Sequence, residues 1–172
     1  MQRRIPGDAS TLIYLAKADV FELARKCVPA ILVSPAVWRE AVVEGERIGA
    51  LEVPRIRAAL EAGSLEAVEL SAPEAALADT IAAVDRLGSG ESEVLALAMQ
   101  VGQAMVDEGR AARVAEARGI TVVSTLFLPV VGRRSGNLGE EEAIEFLRRL
   151  AIVIGPRAEV VYAIEQNLRT EE

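Results

Sequence analysis

The chain has 172 residues, 51% of them hydrophobic and only 3% aromatic, so it is one packed globular domain with a core of Ala, Val, Leu and Ile. It contains no His and one Cys, which excludes Ser-His-Asp and Cys-His nucleophilic sites, paired-imidazole RNA cleavage, His-ligated zinc, thiolate zinc clusters and an intrachain disulfide. A net charge of -7 argues against a general nucleic-acid coat, although acids that hold divalent metal count towards that charge until the metal arrives.

Short β-rich runs alternate with longer helical runs. Arg3 to Asp8 takes the place of a first strand, although Pro6 and Gly7 are poor residues for a central one. Ser10 to about Ala18 reads as a helix, and a short one follows from Val20 to Cys27. Ile31 to Ser34 is an apolar strand, and Pro35 opens a helix to about Gly45. Pro54 to Ala62 is a helix stopped by Gly63, and Leu65 to Leu70 alternates like a half-exposed strand. Pro73 to Leu87 is helical, closed by Gly88-Ser-Gly90, and Glu91 to Val101 is a strongly apolar helix. Ala104 to Asp107 is a buried strand, Glu108 to Arg118 an amphipathic helix, and Ile120 to Ser124 the last strand. Leu126 to Leu168 is helical, broken at Gly132 to Asn137 and at Gly155-Pro156, with a frayed tail from Arg169 to Glu172.

Strands separated by helices pair in parallel and need helices on both faces. The expected fold is therefore one α/β domain over 1–172, a sandwich with a central parallel sheet of about five strands. The C-terminal helices, about 139–168, are an appended part of the same domain and offer a face for packing or for a homodimer. No apolar run is long enough for a signal peptide or a membrane span, and the lone Cys27 fits a reducing cytoplasm.

Ligands of open parallel sheets bind at the carboxyl ends of the strands. Asp8 falls at one such end with Ser10 just beyond, and Asp107 at another with Glu108 beside it. Glu40 lies on the helix after the second strand, and Glu91 opens the helix after Gly88-Ser-Gly90, with Glu93 pointing to another face. Each has a plainer role open to it: Asp8 as an N-cap, Glu91 and Glu93 as first-turn acids, Glu40 as a solvated face residue. Four carboxylates in one crevice repel by roughly 3 kcal/mol per pair at about 5 Å and an effective dielectric near 20. With no His and only Lys17 and Lys26 among the lysines, a divalent cation is the natural neutralising agent, and all-oxygen ligation suits Mg²⁺ or Mn²⁺. Such an ion activates water for attack on a phosphodiester without needing His or Cys.

The segments D-A-S-T-L-I-Y-L at Asp8, W-R-E-A-V at Trp38, G-S-G-E-S-E-V-L-A-L-A at Gly88, M-V-D-E-G-R-A-A-R at Met105 and G-I-T-V-V-S-T-L at Gly119 resemble a PIN domain, closest to a VapC-like branch. The resemblance covers about Asp8 to Leu150. It implies a three-layer α/β/α fold and an acidic Mg²⁺ or Mn²⁺ site. Catalytic and metal-binding roles then fall on Asp8, Glu40, Glu91 and Asp107, with Ser10 and Glu108 as further metal ligands. The implied activity is endonucleolytic cleavage of single-stranded RNA, leaving 3′-hydroxyl and 5′-phosphate ends. The implied partners are a small antitoxin protein and a second copy of the chain. Arg39, Arg110 and Arg113 lie next to the acids and suit RNA phosphates, while few aromatics are available for base stacking.

Receiver and dehalogenase-like phosphatase readings require a strand-end lysine, and neither Lys17 nor Lys26 is so placed. A dinucleotide-binding reading lacks its third glycine. The remaining competitor is a degenerate domain of the same fold that binds RNA or protein without cleaving. Metal-dependent cleavage separates the two.

Overall fold

A computed structural model describes residues 4–107 and 109–170. Five strands follow one another with helices between: β1 (Ile5–Pro6), β2 (Ile31–Val33), β3 (Leu65–Ala67), β4 (Gln103–Met105) and β5 (Thr121–Val123). Every pairing is parallel, but the strands form two sheets, β1-β2-β3 and β4-β5, rather than one five-stranded sheet. A bridge between Gly7 and Met105 sets β4 beside β1, which gives the spatial order 3-2-1-4-5.

Pro6 explains the division. Successive amides of a strand face opposite sides. The Ile5 and Gly7 amides donate to Ala30 and Leu32 on the β2 side, and the Asp8 amide donates to the Met105 carbonyl on the β4 side at 3.1 Å. Residue 6 faces β4 as well, and proline has no N–H to give. Gly7 has a separate reason. A Cβ there would meet Ile31 Cγ2 at 2.6 Å, so only glycine lets β1 approach β2 this closely. Both residues that look foreign to a central strand are thus explained by its two neighbours.

Helices α1 (Ala9–Ala18) and α2 (Phe21–Cys27) link β1 to β2. After β2 the chain forms α3 (Pro35–Trp38), a π-helical turn (Arg39–Val43) and α4 (Glu44–Arg47), longer than the helix expected to end near Gly45. The π turn holds Glu40, and such turns gather at functional positions. Helix α5 (Val53–Glu61) leads to β3, which stops at Ala67 instead of Leu70 because the partner β2 is only three residues long. Helices α6 (Ala72–Asp85) and α7 (Ser89–Val101) then pack on each other, and α7 lies against β1 and β4. Helix α8 (Arg110–Ala117) covers β5, starting two residues later than expected because Gly109 has φ +87. Helix α1 packs against α5 and α10, so helices flank the sheets as in an α/β/α sandwich.

A 3-10 turn (Thr125–Phe127) and α9 (Leu128–Arg134) follow β5. The break expected at Gly132 does not occur there. A Cβ on Gly132 would meet Leu138 Cδ1 at 2.5 Å and Cys27 Sγ at 2.7 Å, so this glycine serves close packing inside a helix. Arg133 and Arg134 therefore end a helix rather than sit in a loop. Helices α10 (Glu140–Ile154) and α11 (Ala158–Thr170) form a hairpin that turns at Gly155-Pro156, with α11 packed on α9 and α10. The expected fraying at Arg169 gives way to ion pairs of Arg169 with Glu165 at 2.7 Å and Glu140 at 3.4 Å; Glu171 and Glu172 lie outside the described residues. No described helix is long and apolar enough to cross a membrane.

Candidate active site

Asp8 stands where β1 passes into α1, and it is 8% exposed. Its Oδ1 accepts the Thr11 amide at 2.8 Å, so the plain N-cap role is real. The carboxyl has a second character. Burial pushes its pKa up, bonds from the Thr11 amide and the Ser10 and Thr11 hydroxyls pull it down, and the charge of Asp107 raises it again. Asp107 follows β4, the strand that the Gly7–Met105 bridge sets beside β1. Its Oδ1 accepts the Ser124 hydroxyl at 2.9 Å and the Thr125 amide at 2.7 Å, and its Oδ2 accepts the Thr125 hydroxyl at 2.7 Å. The Thr125 hydroxyl lies 3.2 Å from that of Thr11. Two fully buried threonines therefore join the two aspartates into one chain of polar groups.

The glutamates meet at a second place. Helix α7 ends one residue before β4 begins and packs along β1 and β4, so its axis runs back against the strands. Thirteen residues rise about 20 Å, which carries its N-terminus to the carboxyl edge of the sheet, the edge of Asp8 and Asp107. There Glu40 Oε1 accepts the Gly90 amide at 3.2 Å and the Ser89 hydroxyl at 3.4 Å. Glu91 Oε2 accepts the Gly88 amide at 3.0 Å, the half of a capping box that a glycine N-cap allows. A Cβ on Gly90 would sit 2.7 Å from Glu40 Oε2, so the glycine makes room for the carboxylate. Glu93, read from sequence as peripheral, accepts the Ala36 amide at 2.8 Å at the start of α3. It thereby fixes the helix that carries Glu40 onto α7. Among the described residues no three carboxylates converge closely enough to hold one ion between them.

The arginines divide. Arg110 and Arg113 line one cleft of about 380 Å³ together with Arg118 and Asp85. Arg110 donates to the Asp85 carbonyl at 3.3 Å, and Arg118 pairs with the Asp85 carboxylate. Arg39 is exposed on the π turn, outside that cleft. Glu108, expected as a metal ligand, lies outside the described residues. Sequence reasoning gave no role to the hydroxyls of Thr11 and Thr125, which meet across 114 positions, or to a bond from Glu93, whose partner is 57 positions away.

A family model described as a PIN domain matches residues 7–158, from the strand before Asp8 to the start of α11. The chain belongs to the PIN-domain family. No curated protein and no solved structure gives a match. The family carries a nuclease-type fold, and its members usually use divalent metals. The donors of this PIN domain suit such an ion. Asp8 is buried and Asp107 half-buried at the edge of a cleft, the charge of Asp107 reaches Asp8, and among the described residues no basic side chain offsets the rise in the Asp8 pKa. Ser10 and Ser124 add neutral oxygens beside Asp107 in the lining of one cleft. Two neighbouring acids in the company of hydroxyl oxygens suit a hard cation.

Proposed function

We propose that this PIN domain is a Mg²⁺- or Mn²⁺-dependent endonuclease of single-stranded RNA. The observation that carries the reading is the pair of a buried Asp8 and a half-buried Asp107, joined through Thr11 and Thr125 at the carboxyl ends of adjacent parallel strands. Asp8, Asp107 and Ser10 would hold the ion together with Glu108, and Glu40 and Glu91 would join them after their side chains turn inward. A divalent ion bound there supplies an acidified water and charge stabilisation on the phosphate. Thr125 and Ser124 orient Asp107 by filling three of its acceptor positions. Asp8, held at the start of α1, cannot swing away without giving up its cap on Thr11. Arg110 and Arg113, in their shared cleft, would take the phosphates of the flanking strand. The products would carry 3′-hydroxyl and 5′-phosphate ends. The protein would work in the cytoplasm, as a VapC-type toxin restrained by a small antitoxin.

A second reading has its own support. Glu40 and Glu91 are bonded to the start of α7, and no described trio of carboxylates is gathered, which suits a binding module without catalysis. One experiment separates the two. Purified protein is incubated with a mixed pool of single-stranded RNAs in Mg²⁺, Mn²⁺ or EDTA, beside Asp8→Asn. The nuclease reading expects cleavage that needs metal and disappears in the variant. Absence of cleavage together with absence of a thermal shift on adding Mn²⁺ would sink it in favour of the binding module.

A further inference from the structure

A cleft that borders Asp107 has a volume of about 790 Å³, within the range of about 300–1,000 Å³ typical of ligand sites. Its floor is polar, made by Asp107, Ser10 and Ser124. Its walls are apolar and aromatic, and its rim carries Arg157. The chain has only six aromatic residues, and two of them, Tyr14 and Phe127, face this one cleft. Phe127 is 48% exposed, so about half of it is open to solvent. It belongs to the 3-10 turn whose first residue, Thr125, grips Asp107. The acid and the ring are thus presented by one rigid turn, which the Phe127 amide closes on the Ser124 carbonyl at 2.9 Å.

The far wall comes from the α10–α11 hairpin. Gly155, at φ +67, ends α10 and lets the chain reverse, and Pro156, Arg157 and Val160 then face the cleft. Val160 lies beyond the stretch that matches the family. Arg157 is exposed and makes no ion pair among the described residues. A half-exposed ring, a floor with two hydroxyls and an unpaired cation at the rim suit a flat heteroaromatic group joined to an anion. They do not suit an aliphatic chain, which has no use for the cation.

We propose that this cleft receives one unpaired base of a single-stranded nucleic acid, stacked on Phe127, with Arg157 holding the adjoining phosphate. The proposal rests on the nuclease reading for its orientation, because it sets that phosphodiester beside Asp107. It gives the site a nucleotide-sized specificity pocket and gives the appended hairpin a task.

The test is equilibrium binding of fluorescent RNA hexamers of A, U and C, read by anisotropy in EDTA, with strand integrity checked by gel. Removal of a stacking ring weakens binding roughly 5- to 150-fold per base, so Phe127→Ala is expected to lose that much. Phe127→Trp restores the face and the affinity, which separates stacking from folding. Arg157→Ala is expected to lower the slope of log affinity against log salt by about 0.7, the share of one phosphate on a single strand. Arg47→Ala, on α4, is the control. Unchanged affinity and salt slope in Phe127→Ala and Arg157→Ala overturn the proposal, and if metal-dependent cleavage persists the nuclease reading stands without it. Weakened binding in both variants with no cleavage under any metal keeps the cleft and removes the nuclease. Intact RNA affinity in Phe127→Ala, together with lost self-association in sedimentation, marks the cleft as a protein–protein face and also overturns the proposal.

Discussion

Asp8→Asn and Asp107→Asn should move stability in opposite directions, although the proposed nuclease function expects both to lose cleavage. Asparagine caps a helix as well as aspartate, so Asp8→Asn keeps the 2.8 Å bond from the Thr11 amide. It removes a buried charge that faces Asp107. Relief of that kind is worth on the order of 0.5–2 kcal/mol, or about 1–8 °C in Tm for a chain of this length. Asp107 is different, because its two oxygens accept three bonds. Asp107→Asn would place an amide NH₂ where Thr125 donates, and weakened bonds to a charged acceptor cost about 1–3 kcal/mol. The assay is urea unfolding in EDTA at pH 7, repeated at falling pH. The Asp8 pKa is raised in the folded state, so the folded state binds that proton more tightly than the unfolded chain does. Its contribution to stability is fully present below the unfolded carboxylate pKa of about 3.9 and is lost as pH rises through the folded value. The advantage of Asp8→Asn is therefore largest at pH 7 and closes as pH falls towards 4. Saturating Mn²⁺ should reverse the ranking, because wild type gains about 2.7 kcal/mol at one hundred times Kd and the variant does not. An Asp8→Asn protein less stable than wild type at pH 7 without metal would refute the account of Asp8 as a strained member of a charged pair.

Three further outcomes are expected. Gly90→Ala places a Cβ 2.7 Å from Glu40 Oε2, the far end of a flexible side chain, so unfolding should change little while kcat for RNA cleavage falls up to about 100-fold from a displaced Glu40. Gly7→Ala pushes against Ile31 Cγ2 at 2.6 Å between two paired strands, and should cost about 1–3 kcal/mol in urea unfolding. The Cys27 thiol is pushed up to about 12, with burial the main cause, so it should ignore a thiol reagent at pH 8 in native protein and react at once in urea.

The helices were legible because their signals are local. Asp8 before α1 and Pro35 after Ser34 each mark a start within a few residues, while α7 begins at Ser89, two residues ahead of the expected Glu91. The order of strands and helices was legible for the same reason. The division of the sheet was not, because it depends on which side of β1 the missing Pro6 amide faces, and that is set by pairing partners 26 and 98 residues away. Asp8 and Asp107 could be placed at strand ends, but their link through Thr11 and Thr125 spans 114 positions and leaves no mark on either segment. Glu40 and Glu91 sit at the expected edge, yet their oxygens bond to backbone and hydroxyl donors of the α7 turn, a choice that depends on side-chain rotamers. The scarcity of aromatics suggested weak stacking, but composition says nothing of position, and Tyr14 and Phe127 share one cleft.

The seam between the two sheets has a consequence for motion. One backbone bond across it, Asp8 N–H to Met105 carbonyl, belongs to the candidate acid itself. When the halves part, that bond breaks and Asp8 loses its place opposite Asp107 in the same event. Local breathing and loss of catalytic geometry are then one process with one free energy. The Asp8 amide becomes a clock for it: the rate at which this one hydrogen exchanges for deuterium counts how often the site comes apart, with no substrate, metal or product in the tube.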